Sequence, residues 1–231
     1  MKLQENNLEA HCNQFFHAWQ DLYYSKDFKG AVQLCTAFIA VLKKRYKNKE
    51  LGNYGDDYTF AYVYLVLAKG LQDLAELTPL TTEKLWAMDG KKTETIWCKL
   101  WDTKQRFAVF RSHWLGDDIL ERITAPLDGL ESYFYDTFGK GLYFSPDIII
   151  TKGECTVCKR NIKGCEHIPG NIYDGVKCAE KVVDMKLEGV SIVSSPHDMR
   201  CRLWPWNMNE DGTVTGIIMS LNSADSFIDE E

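Results

Sequence analysis

Cys155-Thr-Val-Cys-Lys-Arg-Asn-Ile-Lys-Gly-Cys-Glu-His167, closed ten residues further on by Cys178, is the stretch on which the reading of this chain turns. Two residues separate Cys155 from Cys158, a spacing that sets two thiolates on one tight turn with backbone amides facing the sulfurs. Six residues separate Cys158 from Cys165, and His167 follows directly, so a second pair of ligands can close a tetrahedron. Gly153, Gly164, Gly170 and Gly175 allow the tight turns this needs. Five metal-binding side chains within 24 positions predict one zinc ion. Cys155, Cys158 and Cys178 belong to every ligand set that can be drawn, while Cys165 and His167 compete for the fourth place. Four filled positions make a structural site, because a catalytic zinc keeps one position open for water.

Upstream of this stretch the pattern is helical. Phe15, Phe16, Trp19, Leu22 and Tyr23 recur at spacings of three and four, as do Val32, Leu34, Cys35, Phe38, Ile39 and Leu42, giving two helices that meet at Ser25 to Gly30. The basic run from Lys43 to Lys49 suits the end of the second. A third helix with an aromatic-rich face is expected over Tyr58 to Glu76, with a break at Pro79 to Thr82, and Thr81 or Thr82 as the next cap. Helical segments continue over Lys84 to Trp114 and Asp117 to Phe138.

After Gly139-Lys-Gly141 the composition shifts to strand formers: Leu142 to Phe144, Ile148 to Thr151, Gly189 to Val193 and Thr213 to Ser220. A short helix is expected from Cys178 to Met185, a turn at Asn209 to Gly212, and a loose acidic tail from Asp225 to Glu231. The fold class is therefore α+β: a mostly helical domain over residues 1–140, then a small zinc-stabilised domain with short strands over 141–231.

Composition limits the function. Of the 231 residues 45% are hydrophobic and 26% charged, which excludes a disordered or fibrous chain. The apolar run Phe60 to Ala68 is too short to span a bilayer, and no apolar segment follows the basic start, so a cytoplasmic protein without membrane contact is expected. In that compartment the eight cysteines read as thiols or metal ligands, with Cys12, Cys35 and Cys98 as small buried hydrophobes. The net charge of −6 argues against a surface that coats nucleic acid everywhere, which leaves local basic patches.

Two such patches carry possible chemistry. His197 lies close in sequence to Arg200 and Arg202, and strand alternation would put the two arginines on one face, available for phosphate. With Lys159, Arg160 and Lys163 in the metal loop, and Trp204 and Trp206 as stacking surfaces, they compose a single-strand RNA patch. In it His197 would transfer protons and Arg200 would stabilise developing phosphorane charge. His167 is the reserve base if Cys165 takes the fourth ligand place. The second patch, Arg106-Phe-Ala-Val-Phe-Arg-Ser-His113, resembles the arginine and histidine signature of all-helical HEPN ribonucleases.

Cys165-Glu-His-Ile-Pro-Gly170, Tyr173-Asp-Gly175, Cys178 and Leu187 to Pro196 resemble segments of phage head-maturation protease families. Those folds need upstream strands where this chain is helical, so no protease site is carried onto Ser191, Ser194, Ser195 or His197. A helical front followed by a zinc module also resembles, in layout, bacterial antiphage zinc-finger ribonucleases that assemble into rings. That resemblance implies RNA as substrate, a phage protein as activator, and a homo-oligomer whose assembly switches activity on. The other reading is a non-enzymatic zinc-stabilised interaction module.

Overall fold

The computed structural model describes residues 8–48, 50–51, 55–83, 85–113 and 118–207. Its order is α1 (Leu8–Tyr24), α2 (Phe28–Lys47), α3 (Gly55–Thr82), α4 (Gly90–Arg111), α5 (Asp118–Phe138), β1 (Leu142–Cys155), β2 (Ile172–Tyr173), β3 (Val176–Lys177), β4 (Glu180–Val193) and β5 (Arg202–Leu203), with short 3-10 turns between. This is the α+β arrangement expected: helices first, then a small sheet region. Two compact units emerge, Met1–Thr124 with Tyr173–Val176, and Ala125–Ile172 with Lys177–Glu231. Among the described residues no helix is long and apolar enough to cross a membrane.

In the first unit α3 is the central element. Every residue from Ala61 to Ala68 is buried, followed by Leu71, Leu74 and Leu77, and α2 and α4 both pack on it. A helix buried all round reads as apolar on every face, and this one does. Its aromatic face, with Tyr62 and Tyr64, fills the core together with Trp19 and Trp97, so these side chains supply packing and not an exposed assembly surface. Cys12 and Cys35 are fully buried, and burial pushes both thiols up to about 12; Cys98 is half-buried.

The expected boundary between α1 and α2 is present, and Asp27 explains it: its carboxylate accepts from the Gly30 amide at 2.9 Å. Two expectations need correction. Helix α3 does not break at Pro79 but runs through it to Thr82, where the Thr78, Thr81 and Thr82 hydroxyls donate to the carbonyls of Leu74, Thr78 and Pro79. The cap of α4 is accordingly Asp89, accepting from Lys92 N at 3.0 Å, and not Thr81 or Thr82.

In the second unit, β1 and β4 form a 14-residue antiparallel hairpin, and β5 adds to β1 only at Leu142 and Tyr143. The two strand signals around Pro146 thus belong to one strand. The short helix expected from Cys178 to Met185 is instead the start of β4, because Val182, Met185 and Leu187 find cross-strand partners on β1 in Gly153, Ile150 and Ile148. One face of the hairpin carries four successive apolar pairs, Phe144↔Ile192, Pro146↔Val190, Ile148↔Leu187 and Ile150↔Met185. The opposite face carries Ser145↔Ser191, Asp147↔Gly189 and Ile149↔Lys186, and there Ser191 Oγ donates to Asp147 at 3.4 Å. Register shifts fall between Asp147 and Ile148, between Ile150 and Lys152, and between Lys152 and Gly153.

A small core at the other end of the hairpin ties β5 to α5. Phe134, Tyr143 and Trp204 are buried, and Phe138 meets Trp204 edge-on at 5.6 Å. Gly141 has φ 79°, and a Cβ there would lie 2.8 Å from the Arg202 guanidinium, so only glycine suits the turn. The strand at 213–220, the turn at 209–212 and the acidic tail lie outside the described residues.

Candidate metal centre

The metal loop is the connection between β1 and β4. Cys155 is the last residue of β1, and its amide donates to Arg160 O at 2.7 Å while Lys159 N returns to Cys155 O at 2.8 Å. Lys159 adopts φ 60° to close this turn, which carries Cys158 back beside Cys155. A second turn, Ile162–Gly164, is capped by Asn161 Oδ1 accepting from Lys163 N at 2.9 Å, and it delivers Cys165 and then His167. Thr156 locks the far side: its hydroxyl donates to Lys177 O at 2.6 Å and accepts from Ala179 N at 2.9 Å. Cys178 N donates to Asn171 O at 2.7 Å. Nothing in the sequence pattern singles out Thr156, because its role depends on which strand end lies opposite.

These turns bring the Sγ atoms of Cys155, Cys158 and Cys165 and a ring nitrogen of His167 within 4.8 Å of one another. The Cys155 sulfur lies 3.9 Å from His167 Nδ1 and 3.8 Å from the sulfur of Cys178. Tetrahedral ligands at about 2.3 Å from a metal stand about 3.8 Å apart, so the spacing fits an ion of that size. The sequence makes Cys165 and His167 alternatives, yet the structure gathers both beside Cys155 and Cys158. Cys178, fully buried, adjoins Cys155.

The electrostatics suit metal ligation, which requires deprotonated sulfur. The Cys158 amide aimed at the Cys155 sulfur, helped by that of Val157, holds the thiol down at about 7 against the opposing effect of burial. The Arg160 amide and guanidinium lower Cys158 in the same way. Burial raises Cys165, and burial together with the neighbouring Cys155 pushes Cys178 up to about 11.

The other site residues have separate places. His197 is exposed. Arg200 is held in a fork by Asp198, with its Nε 2.9 Å and its Nη2 2.7 Å from the carboxylate oxygens. Burial pushes the Asp198 carboxyl up, but the Arg200 guanidinium and amide outweigh this and leave it below its usual range. Arg202 does not share a phosphate-facing surface with Arg200. It is 6% exposed, donates to Phe138 O at 2.9 Å and Gly139 O at 2.7 Å, and stacks 4.6 Å from the Trp204 ring, so it caps the end of α5. Lys159, Arg160 and Lys163 are exposed on the metal loop, although Lys159 Nζ also donates to Thr156 O at 2.7 Å. Trp204 and Trp206 do stack, at 5.0 Å and 10°, with Trp206 on the outside. Arg106 is not poised toward His113 but paired with the buried Asp73 of α3, while His113 Nδ1 lies 3.0 Å from Val109 O.

No protein-family model matches the chain, and neither a curated protein nor a solved structure is similar to it.

Proposed function

We propose that this chain is a zinc-stapled interaction protein, in which a structural zinc held by Cys155, Cys158, Cys165 and His167 closes the β1–β4 hairpin. The observation that carries this reading is the place of the four donors: they stand within 4.8 Å of one another in the loop that joins the two 14-residue strands. Three thiolates and a neutral imidazole around a divalent ion leave one excess negative charge, which Arg160 beside Cys158 offsets. Cys178 takes the role of a buried thiol donating to the Cys155 sulfur. A filled tetrahedron leaves no position for substrate or water, so the ion's contribution is order in the loop. Elemental analysis of the purified protein is expected to find one zinc per chain, retained by Cys178→Ser and lost from Cys165→Ser. The reverse pattern would exchange their roles, and zinc-free protein would end the proposal.

The antiphage ribonuclease is carried as a second reading because His197 and the three cations of the metal loop are all exposed. In that reading assembly on a phage protein multiplies weak phosphate contacts. Incubation with bulk RNA, alone and with candidate phage proteins, is expected to give cleavage that His197→Ala abolishes. Wild-type protein that leaves RNA intact under every condition removes this reading.

A further inference from the structure

We infer that the apolar face of the β1–β4 hairpin docks against the same face of a second copy of this chain. The inference rests on reading the chain as an interaction module and names its partner. A two-stranded hairpin is marginal in water without a layer against one face, and sheets bury their apolar side against another element. Here the four pairs from Phe144↔Ile192 to Ile150↔Met185 form such a side, yet Leu187 and Ile192 are 56% and 59% exposed and the others are open or half-open.

Three observations select a second copy. The first is area. Ile150, Met185, Leu187, Val190 and Ile192 are 41–59% exposed, and with the partly open Phe144, Pro146 and Ile148 they leave on the order of 500 Å² of contiguous apolar surface, as large as the largest patch of a typical monomer; two copies facing each other bury about 1,000 Å², where specific interfaces begin.

The second is charge. The chain carries a net −6, so two copies repel over most of their surface, but none of the four cross-strand pairs of this face includes a charged side chain. It therefore gives two like molecules a place to meet without repulsion, and offers no charge pattern to select an unlike partner.

The third is the edge. The register shifts along the hairpin, together with Asp184, Lys186 and Glu188 on β4, oppose strand-to-strand addition, which leaves face-to-face packing. A two-fold axis between the copies makes that contact self-complementary.

Sedimentation equilibrium of the zinc-loaded full-length protein tests this directly. Wild type is expected at twice the chain mass. Leu187→Glu and Ile192→Glu, each on its own, are expected to raise the dimer dissociation constant at least about 100-fold, since each places two charges inside the apolar contact. Lys186→Glu, on the opposite face, is expected to leave the mass unchanged. Wild type at the mass of one chain at all concentrations, with one zinc bound, overturns the inference and leaves the zinc-stapled reading standing. Absence of zinc instead counts against that reading. A dimer that resists both glutamates, or one that Lys186→Glu breaks equally well, places the contact elsewhere and also overturns the inference.

Discussion

In the zinc-stapled reading, stripping the metal with a chelator, or replacing Cys155 with serine, is expected to release the β1–β4 hairpin while α1 to α4 stay folded. The metal loop joins the ends of two 14-residue strands, and closing a connection of that length costs entropy that the short pairs β2 and β3 do little to offset. Binding free energy at zinc centres of this type, about 10 kcal/mol or more, is folding free energy as well. Without the ion, thiolates drawn together by the amides of Val157, Cys158 and Arg160 repel one another. Hydrogen exchange is the measurement: the β1 and β4 amides should lose protection by several orders of magnitude, and those of α3 should keep theirs. Unchanged protection in β4 after complete removal of zinc would show that the hairpin is held by something else.

The second large effect lies in the helical unit, where Arg106→Ala should destabilise the fold by about 3 to 5 kcal/mol. Asp73 and Arg106 are both deeply buried and pair across α3 and α4, with Lys69 3.4 Å from the same carboxylate. Burial already pushes the Asp73 carboxyl above its usual range, against the pull of Arg106, Lys69 and Lys99. Removing Arg106 takes away the largest attractive charge, so the folded-state pKa rises further above the unfolded one. For a carboxyl shifted upward, stability is fully present below the unfolded pKa and declines as pH rises through the folded value. The loss in Arg106→Ala should therefore be larger at pH 7 than at pH 4, as read from denaturant melts at the two pH values. The double variant Asp73→Leu/Arg106→Met should recover wild-type stability or exceed it, because it removes the cost of burying both charges. A single variant that loses less than about 1 kcal/mol would mean that Asp73 finds other compensation.

The ion pair also explains why a ribonuclease-like pattern in a helix was misleading. Arg106 and His113 match by spacing, but α4 packs Arg106 against α3 and leaves His113 at the exposed helix end. The same holds for Arg200 and Arg202. They are two residues apart in a stretch that reads as a strand, yet Met199–Cys201 forms a 3-10 turn, so one arginine closes on Asp198 and the other goes inward beneath Trp204. Alternation assigns faces only where the backbone is extended.

What the sequence determined by itself is local. The helix periods of α1, α2 and α5, the break between the first two helices at Ser25 to Gly30, and a metal-binding set of cysteines and histidine between Cys155 and Cys178 all arise from interactions spanning a few residues, or one short loop, and are written in spacing. That Cys165 and His167 both join Cys155 and Cys158, with Cys178 set against the Cys155 sulfur, is decided by the turns of the loop. Tertiary structure decided the rest. It took Cys178 to Met185 from a possible helix into β4, since a stretch of valines with mixed charges follows whichever partner offers pairing, and β1 lies across the metal loop. It turned the aromatic face of α3 into core, because α2 and α4 enclose it. It also set the apolar residues of two distant strands on one side of the hairpin, an outcome of register, which depends on where the metal loop starts and ends the pairing.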